Sequence, residues 1–112
     1  MAETTAFEAI STPLRREILL TLLQAAPAGD GGAAELSASE IASRVDAVRT
    51  TVSKQLAVLR RSGAVAVRHA GTYSYYRIAP AAPEAIVDWL IPFLDALETH
   101  ELSRPETADT LG

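Results

Sequence analysis

The sequence predicts one mainly α-helical domain with a small β-hairpin over residues 1–100, followed by a flexible polar tail over 101–112. Three observations support this fold class. Apolar residues recur every three or four positions through much of the chain, which is typical of amphipathic helices. Two short strand-like runs flank Ala70-Gly71, which is typical of a hairpin. With 112 residues, 48% of them hydrophobic, the chain has enough apolar material for one core.

Composition excludes several classes of protein. The chain has no cysteine, so it holds no disulfide, thiolate metal site or cysteine nucleophile, in keeping with a reducing cytoplasm. No apolar run approaches the roughly 20 residues of a membrane span. The first residues also lack the basic and then apolar layout of a signal peptide. We therefore expect a cytoplasmic protein with no membrane partner.

Charge is segregated along the chain, although the formal net charge is only −4. From Arg44 to Arg77 there are seven Lys and Arg residues against Asp46 alone, whereas from Glu84 onward seven acidic residues face Arg104 alone. A basic middle and an acidic end indicate that one surface meets a polyanion while another faces away from it.

Two helices are predicted at the start of the chain. The first is short, from Thr4 to Ile10. The second begins at Pro13 after a Thr12 N-cap and continues to about Ala25. Its predicted apolar stripe consists of Leu14, Ile18, Leu19, Leu22 and Leu23.

The next two helices follow a predicted loop, Pro27–Glu35, rich in glycine, proline and alanine. Ser37 and Glu40 form a capping-box pattern that starts a helix over Ala38–Arg44. A break at residues 46–48 then separates it from a longer helix.

The longer helix, Arg49–Gly63, has two contrasting faces when it is wound at about 100° per residue. Its inner face carries Val52, Leu56, Leu59 and Gly63. Its outer face carries Thr50, Lys54, Ala57 and Arg61, flanked by Ser53 and Arg60. Short hydroxyls beside long cations suit a helix that lies in a DNA major groove, because cations meet phosphates and purine edges. An ordinary solvated helix face is the alternative.

A hairpin is predicted from Val65–His69 and Thr72–Ile78, with His69 paired to Thr72. This register places on the core face Val65, Val67, Tyr76 and Ile78. It places on the outer face Arg68, Tyr73, Tyr75 and Arg77. Two helices joined by a tight turn and followed by such a hairpin predict a helix-turn-helix with a wing.

The last predicted helix begins at Pro80 and Pro83, and Pro92 predicts a kink or a break near Leu90. Its apolar surface around Trp89 exceeds what so small a domain covers by itself, so we expect a second copy to cover it. Folding of this helix wholly onto its own domain is the alternative. The residues predicted to form the dimer contact are Phe7, Ile86, Leu90, Phe93, Leu94 and Leu97.

Several polar residues have two interpretations each. Arg15 and Arg16 lie off the apolar stripe, where a solvated helix start is favoured over a phosphate contact. His69 is either part of the wing's contact surface or plain hairpin surface. His100, with acidic residues nearby, is a weak metal candidate against a solvated helix end.

Four pieces of the sequence resemble the ArsR family of winged-helix transcriptional repressors. They are the start of FEAISTPLRREILLTLL, the E-I-A and T-V-S-x-x-L-x-x-L-x-x-x-G patterns of SASEIASRVDAVRTTVSKQLAVLRRSGAV, and the Tyr-Tyr-Arg strand of AVRHAGTYSYYRI. The resemblance covers about Phe7–Leu97 and implies a homodimer that represses transcription from a pseudo-palindromic operator. It also implies base-facing residues at Arg49, Thr50, Ser53 and Lys54.

The sequence departs from that family's pattern in three places. It lacks the paired cysteines of arsenic, cadmium and lead sensors. Asp88 is followed two residues on by Leu90 where zinc and nickel sensors have histidine. Val48 stands where a capping Ser or Asp is usual, so we expect the cap to shift to Asp46. The Trp-Leu-x-x-Phe run is similar to metal-independent, autorepressor-type members.

The function predicted from sequence is DNA-binding regulation of transcription, without a catalytic residue, a metal or a cofactor, and with any inducer unknown. Two other classes of protein are the alternatives. An enzyme would need a general base, a nucleophile or a metal, but His69 and His100 are isolated, cysteine is absent and no glycine-rich phosphate loop follows a strand. A winged-helix module that binds protein is opposed by the outward cations. The residues predicted to contact double-stranded DNA are Arg49, Thr50, Thr51, Ser53, Lys54, Gln55, Arg60, Arg61, Arg68 and His69.

Overall fold

The computed structural model describes residues 2–27 and 34–102, which form helices on one small antiparallel sheet. The predicted fold class, mainly α with a β wing, is confirmed. The predicted tail lies almost wholly outside the described residues. In chain order the elements are α1 (Ala2–Glu8), α2 (Pro13–Gln24), β1 (Leu36–Ser37), α3 (Ala38–Val45), α4 (Arg49–Arg61), β2 (Val65–Ala70), β3 (Tyr73–Ile78) and α5 (Ala81–Glu98).

Side-chain caps start α2 and α3 as predicted. The Thr12 hydroxyl accepts a hydrogen bond from the Arg15 backbone N–H at 3.3 Å, and Pro13 takes the first helical position. At α3 the Ser37 hydroxyl accepts from the Glu40 N–H at 3.2 Å, while the Glu40 carboxylate accepts from the Ser37 N–H at 2.8 Å. Each cap satisfies backbone donors that a helix start otherwise leaves unpaired.

The first helix lies two residues earlier than the predicted Thr4–Ile10. It ends at Glu8 because the N–H groups of Ala9, Ile10 and Ser11 bond to carbonyls three residues back instead of four. Ala9 in this tightened turn is completely buried, and only residues 9–12 separate α1 from α2. Local periodicity did not predict this tightening.

The turn between α3 and α4 shows that the predicted cap at Asp46 is wrong. Asp46 adopts a left-handed conformation with φ of 55° and ends α3, its N–H bonding to the Ala42 carbonyl. Aspartate tolerates this conformation better than most residues. Val48 is the N-cap of α4 and supplies no side-chain hydrogen bond, so that helix starts without a side-chain cap.

The wing pairs Ala70 with Tyr73, one step beyond the predicted pairing of His69 with Thr72. The two-residue loop is therefore Gly71-Thr72. Gly71 has φ of +63°, and the favoured two-residue hairpin turns require a positive φ at this first position, which glycine adopts without strain. Because both partners move by one residue, facing pairs shift by two and each side chain keeps its predicted face.

A third strand was not predicted. Leu36 and Ser37 pair antiparallel with Tyr76 and Tyr75, so β3 is the central strand of the order β1-β3-β2. Two residues carry no detectable alternation in sequence, and the capping box at Ser37 already explained this stretch as a helix start. The strand β1 therefore joins the segment just before α3 to the wing through its pairing with β3.

The core lies between α2, α3, α4 and the inner face of the sheet. Its fully buried large side chains are Ile18, Leu22, Ile41, Val52, Leu56 and Leu59. Leu23, which was included in the predicted stripe, is instead 68% exposed. Gly63 follows the C-cap of α4 with φ of +82°, a conformation that strains other residues, and a Cβ there would lie only 3.2 Å from the Ala81 Cβ.

The last helix is continuous from Ala81 to Glu98 with Pro92 inside it, so the helix does not break near Leu90, and the kink expected there as the other outcome stays a prediction. Proline removes one backbone N–H from the helix, and α1 packs along α5. None of the described helices combines the length and hydropathy needed to cross a bilayer.

Candidate nucleic-acid interface

The helix α4 separates a buried face from an exposed polar face, as its sequence pattern predicted. Val52, Leu56 and Leu59 are each at most 1% exposed and anchor the helix in the core. The opposite face projects from that anchor into solvent. Its exposed residues are Arg49, Thr50, Thr51, Ser53, Lys54, Ala57, Arg60 and Arg61.

A hydroxyl-rich cleft separates the first turns of α4 from the wing. Arg49 and Ser53 line it on the α4 side. The remaining walls come from β1, the start of α3 and the wing, and their polar side chains are Ser37, Ser39, Thr72, Tyr73, Ser74 and Tyr76. Hydroxyls and an arginine in one cleft offer hydrogen bonds to phosphate and sugar oxygens.

A second cleft continues along α4 towards its C-terminal end. Arg60 and Arg61 line it on the helix side, and His69 lines it on the wing. Ser53 and Tyr76 border both clefts, so the two adjoin. The structure therefore brings five of the sequence-predicted DNA residues to one groove, while Thr50, Thr51 and Lys54 lie on α4 outside its walls.

Arg68 on the wing is exposed but has an intramolecular partner that the sequence pattern did not predict. Its Nε and Nη2 donate to the Glu35 carboxylate at 3.1 and 2.8 Å, and its guanidinium lies 5.0 Å from the centre of the Tyr75 ring. The Arg77 guanidinium lies 3.9 Å from the same carboxylate. The hydrogen bond from Arg68 lowers the pKa of Glu35, and the same pairing raises the pKa of Arg68.

The pairing of Glu35 with Arg68 follows from the position of Glu35 just before β1. Because β1 pairs with β3 and β3 pairs with β2, a residue that precedes β1 lies beside the outward side chains of the wing. Without β1, Glu35 was only the end of a loop. The wing thus presents less net positive charge than its sequence indicates.

Two further predicted contact residues have partners within the chain. His69 Nδ1 lies 2.9 Å from the Ser74 hydroxyl across the hairpin. Gln55 is half-buried on α4, and its Oε1 accepts a hydrogen bond from Arg15 Nη1 at 2.7 Å. Gln55 therefore lies at the edge of the exposed face, against α2.

The described residues contain no group of three or more His, Asp or Glu side chains placed to hold a metal ion. His100, the weak candidate, is exposed beyond the end of α5 with φ of 61°.

The comparisons with known proteins agree with this geometry. A family model described as a helix-turn-helix domain matches residues 10–68, which is more than half of the chain. No curated protein matches the chain. Among solved structures, an ArsR-like transcriptional regulator from Rhodococcus sp. RHA1 is 26% identical, with 88% of this chain and 85% of that chain covered and a TM-score of 0.65.

Two other solved structures are similar over most of their length. The homodimeric winged helix-turn-helix DNA-binding domain Mb0332 from Mycobacterium bovis is 28% identical, with 92% and 88% of the two chains covered and a TM-score of 0.61. The transcriptional repressor BigR from Xylella fastidiosa is 28% identical, with 79% and 83% covered and a TM-score of 0.56.

Helix, turn, helix and wing, with a basic face on the second helix, define a winged helix-turn-helix protein. The chain belongs to the helix-turn-helix domain family and is an ArsR-family DNA-binding transcriptional regulator.

Proposed function

We propose that the protein is a homodimeric repressor that binds a pseudo-palindromic operator in double-stranded DNA through α4 and the wing. One observation carries the proposal: α4 is held in the core by fully buried residues while its exposed face presents hydroxyls and cations beside the groove. A recognition helix needs this combination, because its side chains reach base edges only when the helix is held rigidly in the DNA major groove.

We propose that base edges are read by Arg49, Thr50, Ser53 and Lys54, in the first two turns of α4. The N-terminal residues of a recognition helix contact base edges, and short hydroxyls there allow close approach. Arg60 and Arg61, at the other end of α4, then contact the phosphate backbone.

The wing supplies a second contact. Arg68 is proposed to contact a phosphate or to enter the adjacent minor groove. To do so it exchanges the Glu35 carboxylate for a phosphate, another anionic acceptor, and such an exchange favours no particular base sequence. Thr51 and Gln55 on α4 and His69 on the wing are proposed as supporting contacts.

Dimerisation is proposed through α1 and α5. Trp89, Phe93, Leu94 and Leu97 on α5 are each 44–48% exposed, an unusual number of large apolar side chains for one surface helix. Phe7 of α1 packs edge-on against Trp89 at 5.3 Å and extends the same apolar surface. In a two-fold dimer the two copies of α4 then lie about one DNA turn apart, roughly 34–36 Å.

Repression rather than activation is proposed from the resemblance to repressors, since a dimer that covers an operator blocks access to it. The protein then acts by binding alone, without catalysis, in the cytoplasm. Residues 1–100 form the DNA-binding and dimerisation domain in this proposal, and 101–112 form a tail outside it.

A gel-shift assay with DNA from upstream of the protein's own gene, repeated at several salt concentrations, tests the proposal. A specific shift that weakens steeply with salt is expected, because phosphate contacts release counterions. Binding no tighter than to scrambled DNA would argue against an operator there. Weak salt dependence would argue that α4 faces a protein partner.

A further inference from the structure

Arg15, in the first turn of α2, connects three separate parts of the chain through its guanidinium. Nε donates to the Glu8 carbonyl oxygen at 2.9 Å and Nη2 donates to the Ser11 hydroxyl at 2.6 Å. Nη1 donates to Gln55 Oε1 at 2.7 Å, across 40 residues of sequence. One planar group thus joins the end of α1, the α1–α2 turn and the middle of α4.

The chemistry of this cluster indicates a positioning role. A cation in the first turn of a helix is mildly unfavourable, so helix stability alone does not account for arginine here. The three acceptors are a carbonyl, a hydroxyl and an amide, so no carboxylate neutralises the charge through them. Charge-assisted hydrogen bonds are stronger than neutral ones, and the rigid guanidinium fork fixes its three acceptors relative to one another.

The two ends of this connection lie at the two surfaces that the proposed function uses. Gln55 follows Lys54 directly on α4. Glu8 follows Phe7 directly, and Phe7 packs against Trp89 of α5. Arg15 therefore lies between the proposed dimer face and the proposed base-reading face.

We propose that Arg15 is a positioning residue that ties α1 to α4 and sets the orientation of the recognition helix relative to the dimer axis. The inference rests on the proposed dimer on two half-sites. Its consequence is that the distance between the two copies of α4 is narrowly defined before DNA binds, so that operator half-site spacing is selected by the protein.

Arg16 provides a matched control. It is the next residue in α2, and its Nη1 donates to the Ile10 carbonyl oxygen at 2.7 Å. Its exposed guanidinium makes no hydrogen bond to α4 within the described part of the chain. Arg16→Met therefore removes the same charge and a bond to the same turn while leaving the connection to Gln55 in place.

The experiment measures the distance between recognition helices without DNA. Since the chain has no cysteine, Ala57→Cys on the exposed face of α4 accepts one nitroxide label per protomer. Pulsed electron spin resonance then gives the inter-protomer distance distribution. A narrow distribution is expected for this background and for Arg16→Met, and a clearly broader one for Arg15→Met and for Gln55→Leu. The double variant should have a distance distribution no broader than that of Arg15→Met, because the hydrogen bond that Gln55→Leu removes is already lost when Arg15 is replaced.

The unlabelled, cysteine-free proteins supply a second measurement. Arg15→Met should lose affinity for the operator on the order of tenfold per half-site, about the size of one lost base contact, and accept altered half-site spacings. Its salt dependence should stay that of the wild type. A fall in the salt slope of about two for the dimer would instead show that Arg15 contacts phosphate.

The outcomes separate the two proposals. The absence of any inter-protomer distance in the labelled background would refute the proposed dimer. A distance distribution that Arg15→Met leaves unchanged, in a protein that does dimerise, would overturn the positioning role alone. Additive broadening in the double variant would show that Arg15 and Gln55 act separately.

Discussion

Arg61 offers the sharpest test of the proposal that the start of α4 reads base edges while its end contacts the phosphate backbone. It is the last residue of α4, it is exposed, and it lines the groove beside the wing. Arg61→Gln keeps most of the side chain's length and its hydrogen-bonding end but removes the charge. If Arg61 neutralises a phosphate, the change should weaken binding to operator and to scrambled DNA alike, because a phosphate carries no sequence information.

The expected magnitude follows from counting charges. Each neutralised phosphate contributes about 0.9 to the slope of log affinity against log salt. A dimer places two copies of Arg61 on DNA, so the slope should become shallower by about 1.8. Between about 50 and 200 mM salt, the wild type should then lose about twelvefold more affinity than the variant.

Fluorescence anisotropy with labelled operator and scrambled duplexes, at several salt concentrations across that range, measures both slopes. Ser53→Ala is the matched control on the same face of α4. It removes no charge and should leave the slope unchanged while it lowers operator preference by about 1–3 kcal/mol per half-site. Equal slopes for Arg61→Gln and wild type would refute the backbone role of Arg61. A shallower slope by only about 0.9 would indicate that a single protomer binds.

The remaining predictions concern packing, assembly and charge. Leu22→Ala, at a site 1% exposed, should cost about 3 kcal/mol of unfolding free energy, whereas the neighbouring Leu23→Ala, at a site 68% exposed, should change it by less than about 0.5 kcal/mol. Urea unfolding at one fixed protein concentration measures both, and similar losses would contradict the burial pattern. Leu94→Glu should convert a dimer to a monomer in analytical ultracentrifugation, because it places an unpaired charge in the apolar face. A wild type that is monomeric at micromolar concentration would refute the proposed dimer. Arg68→Ala should raise the pKa of Glu35 towards its ordinary value, as measured by NMR titration of the carboxyl group. Because pairing lowers that pKa in the folded state, the pair stabilises the fold above the ordinary carboxyl range, and this contribution disappears as pH falls through the lowered pKa. An unmoved titration would show that Arg68 is not the cause.

Much of the structure was predictable because its causes are local. The capping box at Ser37 and Glu40 needs residues only three apart, and the two faces of α4 follow from helical periodicity over Arg49–Arg61. The alternation in the hairpin assigned each side chain to its correct face, because the facing pairs are displaced by two residues from the predicted register and not by one. The apolar excess of the last helix already predicted a dimer, and the family motifs added the expectation of a symmetric operator.

Other features depend on contacts between residues distant in sequence. The connection from Arg15 to Gln55 spans 40 positions, and Glu35 meets Arg68 only because a two-residue strand aligns with the wing. Asp46 ends α3 instead of starting α4, since its backbone adopts the left-handed conformation in the turn between the two helices. Sequence by itself determined which residues favour helix, strand, core and surface, because those preferences lie in each side chain and its near neighbours. Only the tertiary structure decided which cations are free to meet DNA and which are already bonded, because a partner distant in sequence leaves no periodic pattern.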